Sequence, residues 1–367
     1  MKIQSVQGIN PSFTGDRRKF DVQGHVGEMY DGIHNKTFNY TAQNIIDTVE
    51  INNVKKVLVS SVSGLNAEGS DKFMSELNAA QEIQRIAGNG NVKLYPLFSC
   101  QPGISKGVSV AENILQTGNF VGMKFHPTNT EKAIKDNFDA YAAYMSLAED
   151  KAMPCVFHSV TDGKSDPVQI IRLAERHKKL PVVLYHIDLM STPEQLMKTI
   201  DNISESVKAG KSNLFVDVSW LTGLWDNAEQ NKNVIKHALD KIGPDRILFG
   251  SDTPIAEMGD KEKYGKFADF IEETVKEFYN GKPQEAESAL NKIFYDNAEG
   301  IFINKSWYEK PVQQTQQTVK KALPKKGMMI LGGAVVLGLI AFAAKAINAN
   351  AKQTKANENN PSRVVNK

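Results

Sequence analysis

Short apolar runs alternate with longer amphipathic ones from Lys19 to Phe302. Eight of the short runs read as strands: Phe20–His25, Lys56–Ser60, Val92–Ser99, Phe120–His126, Pro154–His158, Val182–His186, Leu214–Trp220 and Ile247–Asp252. Each is mostly apolar and β-rich, the pattern of strands covered on both faces of a parallel sheet. Between them, Asp71–Ala87 puts Phe73, Leu77, Ala80, Ile83 and Ala87 on one helical stripe, and Val168–Ala174 and Asn233–Ile242 repeat the spacing. Asp166-Pro167 and Thr192-Pro193 mark helix starts, a capping side chain followed by proline in the first turn. Two further helical runs, Lys261–Tyr279 and Pro283–Phe302, follow the last strand. This alternation predicts a (β/α)8 TIM barrel over residues 19–303. An open doubly wound sheet also alternates, but no Gly-x-Gly-x-x-Gly follows any strand.

The pattern stops at both ends. Residues 1–18 are a turn-rich lead-in without the apolar segment of a secretory signal. Residues 304–326 form a polar, basic linker. Gly327–Ala344 is then an uncharged, almost wholly apolar run of 18 residues between lysines. As a helix it would be roughly 27 Å long, enough for one C-terminal transmembrane helix. Ala334 and Gly338 form a small-x-x-x-small pair on it. A docking helix is the alternative, though the run lacks a polar stripe. The tail, residues 345–367, reads as disordered, polar and basic. The simplest arrangement is a cytoplasmic barrel anchored to a membrane by its C-terminus. Lysines on both sides of the run leave the positive-inside rule little to decide.

Composition sharpens this division. The 367 residues carry a formal net charge of +2, but Lys305–Lys367 holds 11 of the 44 basic and 2 of the 42 acidic residues. Residues 1–304 therefore carry a net −7. A mildly acidic body argues against nucleic-acid binding, which needs basic groups on one face. Cys100 and Cys155 both fall in apolar runs and read as buried thiols.

Four of the seven histidines, His25, His126, His158 and His186, close strand-like runs, and Asp252 closes the eighth. In a parallel barrel all C-terminal strand ends surround one mouth, so these side chains should meet there. Imidazoles with one carboxylate suit zinc or a similar divalent ion. His34, His177 and His237 fall in a loop and on polar helix faces and receive no role. Asp217 reads as an outward salt-bridge partner or a further site candidate, and Trp220 and Trp225 as pocket walls or core.

These segments resemble the amidohydrolase superfamily, most of all its branch of metal-dependent hydrolases and non-oxidative decarboxylases. The resemblance lies in Phe20-Asp21-Val22-Gln23-Gly24-His25, Gly122-Met123-Lys124-Phe125-His126-Pro127, Val156-Phe157-His158, Leu184-Tyr185-His186, Leu248–Pro254 and Ile293–Ala298. It implies a metal held by His25, His158 and Asp252, with Asp252 also the general base and His186 a ligand or a group polarising substrate or water. The family's first-strand His-x-His is here Gln23-Gly24-His25. Gln23 keeps the ligand's direction, but its neutral amide is a poorer donor than imidazole. Lys124 and His126 are implied substrate-binding residues for an anion; a structural or snorkelling lysine is the alternative.

The resemblance thus implies one divalent metal ion, with zinc expected and manganese or iron as alternatives. It further implies a small-molecule substrate and allows a homo-oligomer of unspecified symmetry. Three functions remain. The first is hydrolysis of a C–N or C–O bond by metal-activated water. The second is non-oxidative decarboxylation at the same site. The third is a metal-free, membrane-tethered binding barrel, suggested by Gln23.

Overall fold

The computed structural model describes residues 17–31, 36–62, 79–80, 82–83, 91–103, 107–116, 119–161, 163–221 and 227–308. The lead-in up to residue 16, most of Asp71–Ala87, His34, Trp225, most of the linker, the apolar run Gly327–Ala344 and the tail lie outside the described residues. Among the described residues, no helix is long and apolar enough to cross a membrane.

The fold is mixed α/β around a parallel sheet. Its strands are β1 (Lys19–Asp31), β2 (Lys36–Tyr40), β3 (Val54–Ser61), β4 (Lys93–Cys100), β5 (Gly122–Phe125), β6 (Cys155–Val160), β7 (Pro181–Leu189), β8 (Asn213–Asp217) and β9 (Ile247–Leu248). The order is β2-β1-β3-β4-β5-β6-β7-β8-β9, with every pair parallel except β1–β2. The two ends of the parallel run meet. Val22 N–H donates to Phe249 O at 3.0 Å, His25 N–H donates to Thr253 O at 2.8 Å, and Gly24 bridges Thr253. The sheet closes on itself, as a TIM-like barrel requires.

Closure divides the core in two. Inside the sheet, Val22, Leu58, Leu97, Val156, Val183 and Leu248, from six different strands, pack with Tyr295, Ala298 and Phe302. Outside it, helices bury their apolar stripes on the opposite strand faces. Ile170, Leu173 and Ala174 do so from helix Pro167–Arg176, and Val234, Ile235 and Leu239 from helix Ala228–Lys241. The expected caps form: Asp166 accepts Val168 N–H at 2.8 Å and Thr192 accepts Gln195 N–H at 3.3 Å, each with proline next.

Several strand limits differ from expectation, each for a local reason. The first strand runs on to Asp31 and folds back as an antiparallel ribbon with β2, where the Phe38 and Tyr40 rings stack. The seventh expected strand stops at Asp217 instead of Trp220, because the Asp217 carboxylate accepts Ser219 N–H and turns the chain. The eighth keeps only Ile247–Leu248, since Phe249 N–H donates to Ile293 O and Ser251 N–H to the Asp21 carboxylate instead of to a neighbouring strand. The helical run expected to end at Phe302 is regular only over Pro283–Asn291 and continues in wider turns, Lys292–Asp296 and Glu299–Ile303.

Candidate active site at the strand ends

The first strand delivers two side chains to the mouth. Its ladder to β3 slips between Asp21 and Gly24, so the strand does not keep one alternation throughout. Asp21 turns away and accepts Ser251 N–H and Oγ–H, Gln23 N–H and Tyr264 O–H. Burial raises its pKa to about 6 despite these four donors. Gln23 and His25 point inward. Gln23 Nε2 donates to Asp252 Oδ1 at 2.6 Å, and His25 Nε2 lies 2.8 Å from the same oxygen. Trp220 Nε1–H donates to Asp252 Oδ2.

Asp252 is therefore buried but ringed by donors. Burial works to raise its pKa; the charge and hydrogen bond of His25, with His186 and Trp220, outweigh that and bring it to about 2. His186 lies on the far side of Gln23, its Nε2 3.1 Å from Gln23 Nε2. Serines orient both rings: Ser60 Oγ is 3.0 Å from His25 Nδ1, and Ser219 Oγ is 2.8 Å from His186 Nδ1. Such partners fix the ring and direct Nε2 to the common space.

His158 and His126 complete the cluster, with rings stacked at 4.0 Å and His158 edge-on to His186 at 5.1 Å. Burial lowers the pKa of all three, to about 3 for His126 and His186 and well below the usual value for His158. Neutral imidazole is the form that binds metal.

Lys124 rises from β5 inside the sheet, 0% exposed, with its Nζ 4.0 Å from the centre of the Tyr185 ring. Among the described residues its ammonium has no hydrogen-bond partner, nor have His126 Nδ1 and Asp217 Oδ2. Burial lowers the lysine's pKa to about 7, with Asp252 and Asp217 pulling the other way. Asp217 corrects the outward reading. It is fully buried, its Oδ1 accepts His186 N–H at 2.7 Å, and burial raises its pKa to about 7. It fits there because residue 250 is glycine; a Cβ on Gly250 would lie 2.5 Å from Asp217 Oδ2.

Gln23, His25, Lys124, His126, His158, His186, Trp220 and Asp252 all line one cavity of about 410 Å³, with Met29 of the ribbon at its edge. Every site residue expected from sequence is thus brought to one place. His177 and His237 lie elsewhere, paired with Glu149 at 3.0 Å and Asp201 at 2.8 Å. Ser60, Ser219 and Asp21 were not anticipated. Ser60 carried a signal, since it ends an apolar run just as the histidines do. Asp21 carried none, because its partner Tyr264 is 243 residues away.

The donor set suits a zinc-like ion in type: several imidazoles, one ionised carboxylate, and serines behind two of the rings. Among the described residues, no three His, Cys, Asp or Glu side chains converge closely enough to enclose an ion as they stand. The Gln23 amide nitrogen stands between Asp252 and His186.

A closed parallel sheet with imidazoles and a carboxylate gathered at its strand ends has the layout of an enzyme active site. The family model for Amidohydrolase matches residues 104–302, more than half the chain, and the chain belongs to that family. Solved structures agree in fold. A zinc-bound amidohydrolase from Burkholderia multivorans has a TM-score of 0.54 at 13% identity, covering 77% of this chain and 99% of that one. A manganese- and inhibitor-bound dihydroxybenzoic acid decarboxylase from Polaromonas sp. JS666 has a TM-score of 0.55 at 13% identity, covering 77% and 96%. A structure described as a probable 2-pyrone-4,6-dicarboxylic acid hydrolase from Acinetobacter baumannii, with citric acid bound, scores 0.53 at 13% identity, covering 77% and 98%. A comparison with curated proteins gives no match.

Proposed function

We propose that the protein is a metal-dependent hydrolase that cleaves a C–N or C–O bond of a small molecule. The observation that carries this reading is Asp252, an ionised buried carboxylate 2.8 Å from His25 on the wall of a 410 Å³ cavity. His25, His158 and Asp252, with Gln23 beside them, would hold one divalent ion, with zinc first and manganese or iron as alternatives. Such an ion supplies Lewis acidity, acidifying water and polarising a carbonyl. Asp252 accepts the proton of the attacking water and returns it to the leaving group. His186, its Nδ1 bound to Ser219, presents Nε2 as a ligand or second proton acceptor. Trp220 and Met29 wall the cavity and limit water around the substrate.

Lys124 favours a second reading, non-oxidative decarboxylation. A buried ammonium without a partner suits a substrate carboxylate, which would supply the missing charge-assisted bond. One experiment separates the two. The zinc-loaded protein is assayed against lactones, esters and amides for hydrolysis and against aromatic acids for CO2 release, with Asp252→Asn as control. Hydrolysis that depends on Asp252 is the expected result. CO2 release alone would select the second reading, and neither would overturn both.

We further propose that Gly327–Ala344 tethers the enzyme to a membrane, with the barrel cytoplasmic. Support comes from the length and uniform apolarity of the run. The full chain should stay in the membrane fraction after alkaline washing, with the barrel protected from external protease in intact cells. Release by the wash, or digestion of the barrel from outside, would contradict the tether or its orientation respectively.

A further inference from the structure

Gln23 occupies the position where the resemblance expects a metal-binding histidine, and its hydrogen bonds can be assigned. The amide nitrogen must face Asp252, because an amide oxygen 2.6 Å from a carboxylate oxygen would oppose lone pairs. That nitrogen has two hydrogens and two acceptors, Asp252 Oδ1 and His186 Nε2. The amide oxygen accepts from Ser219 Oγ at 2.8 Å. Two of the atoms a metal could use, Asp252 Oδ1 and His186 Nε2, are therefore engaged by one amide group.

We propose that Gln23 is an internal competitor for the cation, and that its amide turns over when a metal enters. The proposal rests on the reading of the site as a divalent-metal centre. Turning the amide by half a revolution brings Oε1 to the ion as a ligand and Nε2 to Ser219. Ser219 suits both positions. Its hydroxyl accepts His186 Nδ1–H in either, and its one hydrogen can go to Gln23 Oε1 or to Asp217 Oδ1, 2.7 Å away. In the metal-free position that hydrogen goes to Gln23. In the loaded position it goes to Asp217, and Ser219 then accepts from both Gln23 Nε2–H and His186 Nδ1–H. Ser219 Oγ and Gln23 Oε1 keep a partner in both positions, and the turn costs one bond, the second hydrogen of Gln23 Nε2, which loses its protein acceptor. A histidine at residue 23 has no such alternative. The substitution thus makes a weaker but reversible site.

The test is zinc binding by calorimetry to the full-length protein, beside Gln23→Glu and Gln23→His, followed by a crystal structure of the zinc-loaded protein. Neither variant carries the two-hydrogen amide, so both should bind at least tenfold more tightly. Binding by the variants with none by the wild type would overturn the turning of the amide, since Gln23 would then block the site outright. In the loaded crystal, Gln23 Oε1 should sit about 2.0–2.2 Å from zinc with the nitrogen on Ser219. Equal affinities, or a Gln23 side chain still on Asp252 or swung out of the site, would overturn the proposal and leave the metal site standing. No zinc bound by any of the three proteins would overturn the metal reading itself, and this proposal with it.

Discussion

The two ends of the closed sheet treat buried charge in opposite ways. At the N-terminal end, Lys56 Nζ meets Glu299 at 2.5 Å, with Phe20, Tyr95 and Tyr295 around it. Lys19 donates to the carbonyls of Asn52 and Arg17, and Arg17 and Arg18 pair with Glu287 and Asp296. At the C-terminal end, Lys124 Nζ, His126 Nδ1 and Asp217 Oδ2 have no hydrogen-bond partner among the described residues, whereas Arg17 Nε, the buried N–H left over at the other end, still lies 3.7 Å from Glu272. An unpaired polar group inside a protein costs stability, about 1–3 kcal/mol each. One end is therefore built to hold the fold, and the other keeps capacity in reserve for a ligand.

Backbone strain follows the same division. Nine non-glycine residues have positive φ among the described residues, and His186, Ile187, Met190, Trp220 and Asp252 cluster on the mouth segments. Such conformations persist where surrounding bonds over-determine them, and they concentrate at functional sites.

The sharpest way to separate the ends is Asp252→Asn. The carboxamide keeps the shape but sets an NH2 against the donors around it, so melting should fall modestly, while turnover should fall roughly a thousandfold. Comparable losses of melting temperature and activity would mean that Asp252 serves the fold. Next is Lys56→Met, which should cost about 2 kcal/mol in urea unfolding by stranding Glu299, with turnover unchanged. Lys124→Met should do the reverse, raising stability by about 1 kcal/mol while weakening carboxylate ligands about tenfold. A destabilised Lys124→Met with unaltered ligand binding would make both ends structural.

The smallest expected effect is a pH dependence. Lys124 has a folded pKa of about 7 against 10.5 when free, so the folded chain binds fewer protons than the unfolded chain between those values. The contribution of Lys124 to stability should be lowest below pH 7 and rise from there toward 10.5, because the unpaired charge is shed. Affinity for a carboxylate ligand should run oppositely, strongest below 7 and fading above it. Lys124→Met should abolish the affinity slope and flatten the rise in stability between pH 7 and 8, leaving above 8 the part that the buried Lys19 contributes.

The sequence displayed whatever depends on one strand at a time. His25, His126, His158, His186 and Asp252 end apolar runs, so parallel strands alone bring them together. It hid what depends on pairs of strands. Asp217 looked outward because its partner is the His186 backbone, 31 residues earlier, and its room comes from Gly250. Asp21 shares the alternation of Gln23 and His25 but faces away, since the ladder slips between Asp21 and Gly24. The β1–β2 ribbon was missed because β2 is only five residues long and its one apolar pair, Phe38 and Tyr40, is half-buried.

The central claim is that the mouth holds a metal the chain uses. Zinc content of the purified full-length protein after zinc dialysis, measured beside His158→Ala, tests it most directly. The account expects about one ion per wild-type chain, lost in the variant. Equal zinc in both proteins, or none in either, would contradict it.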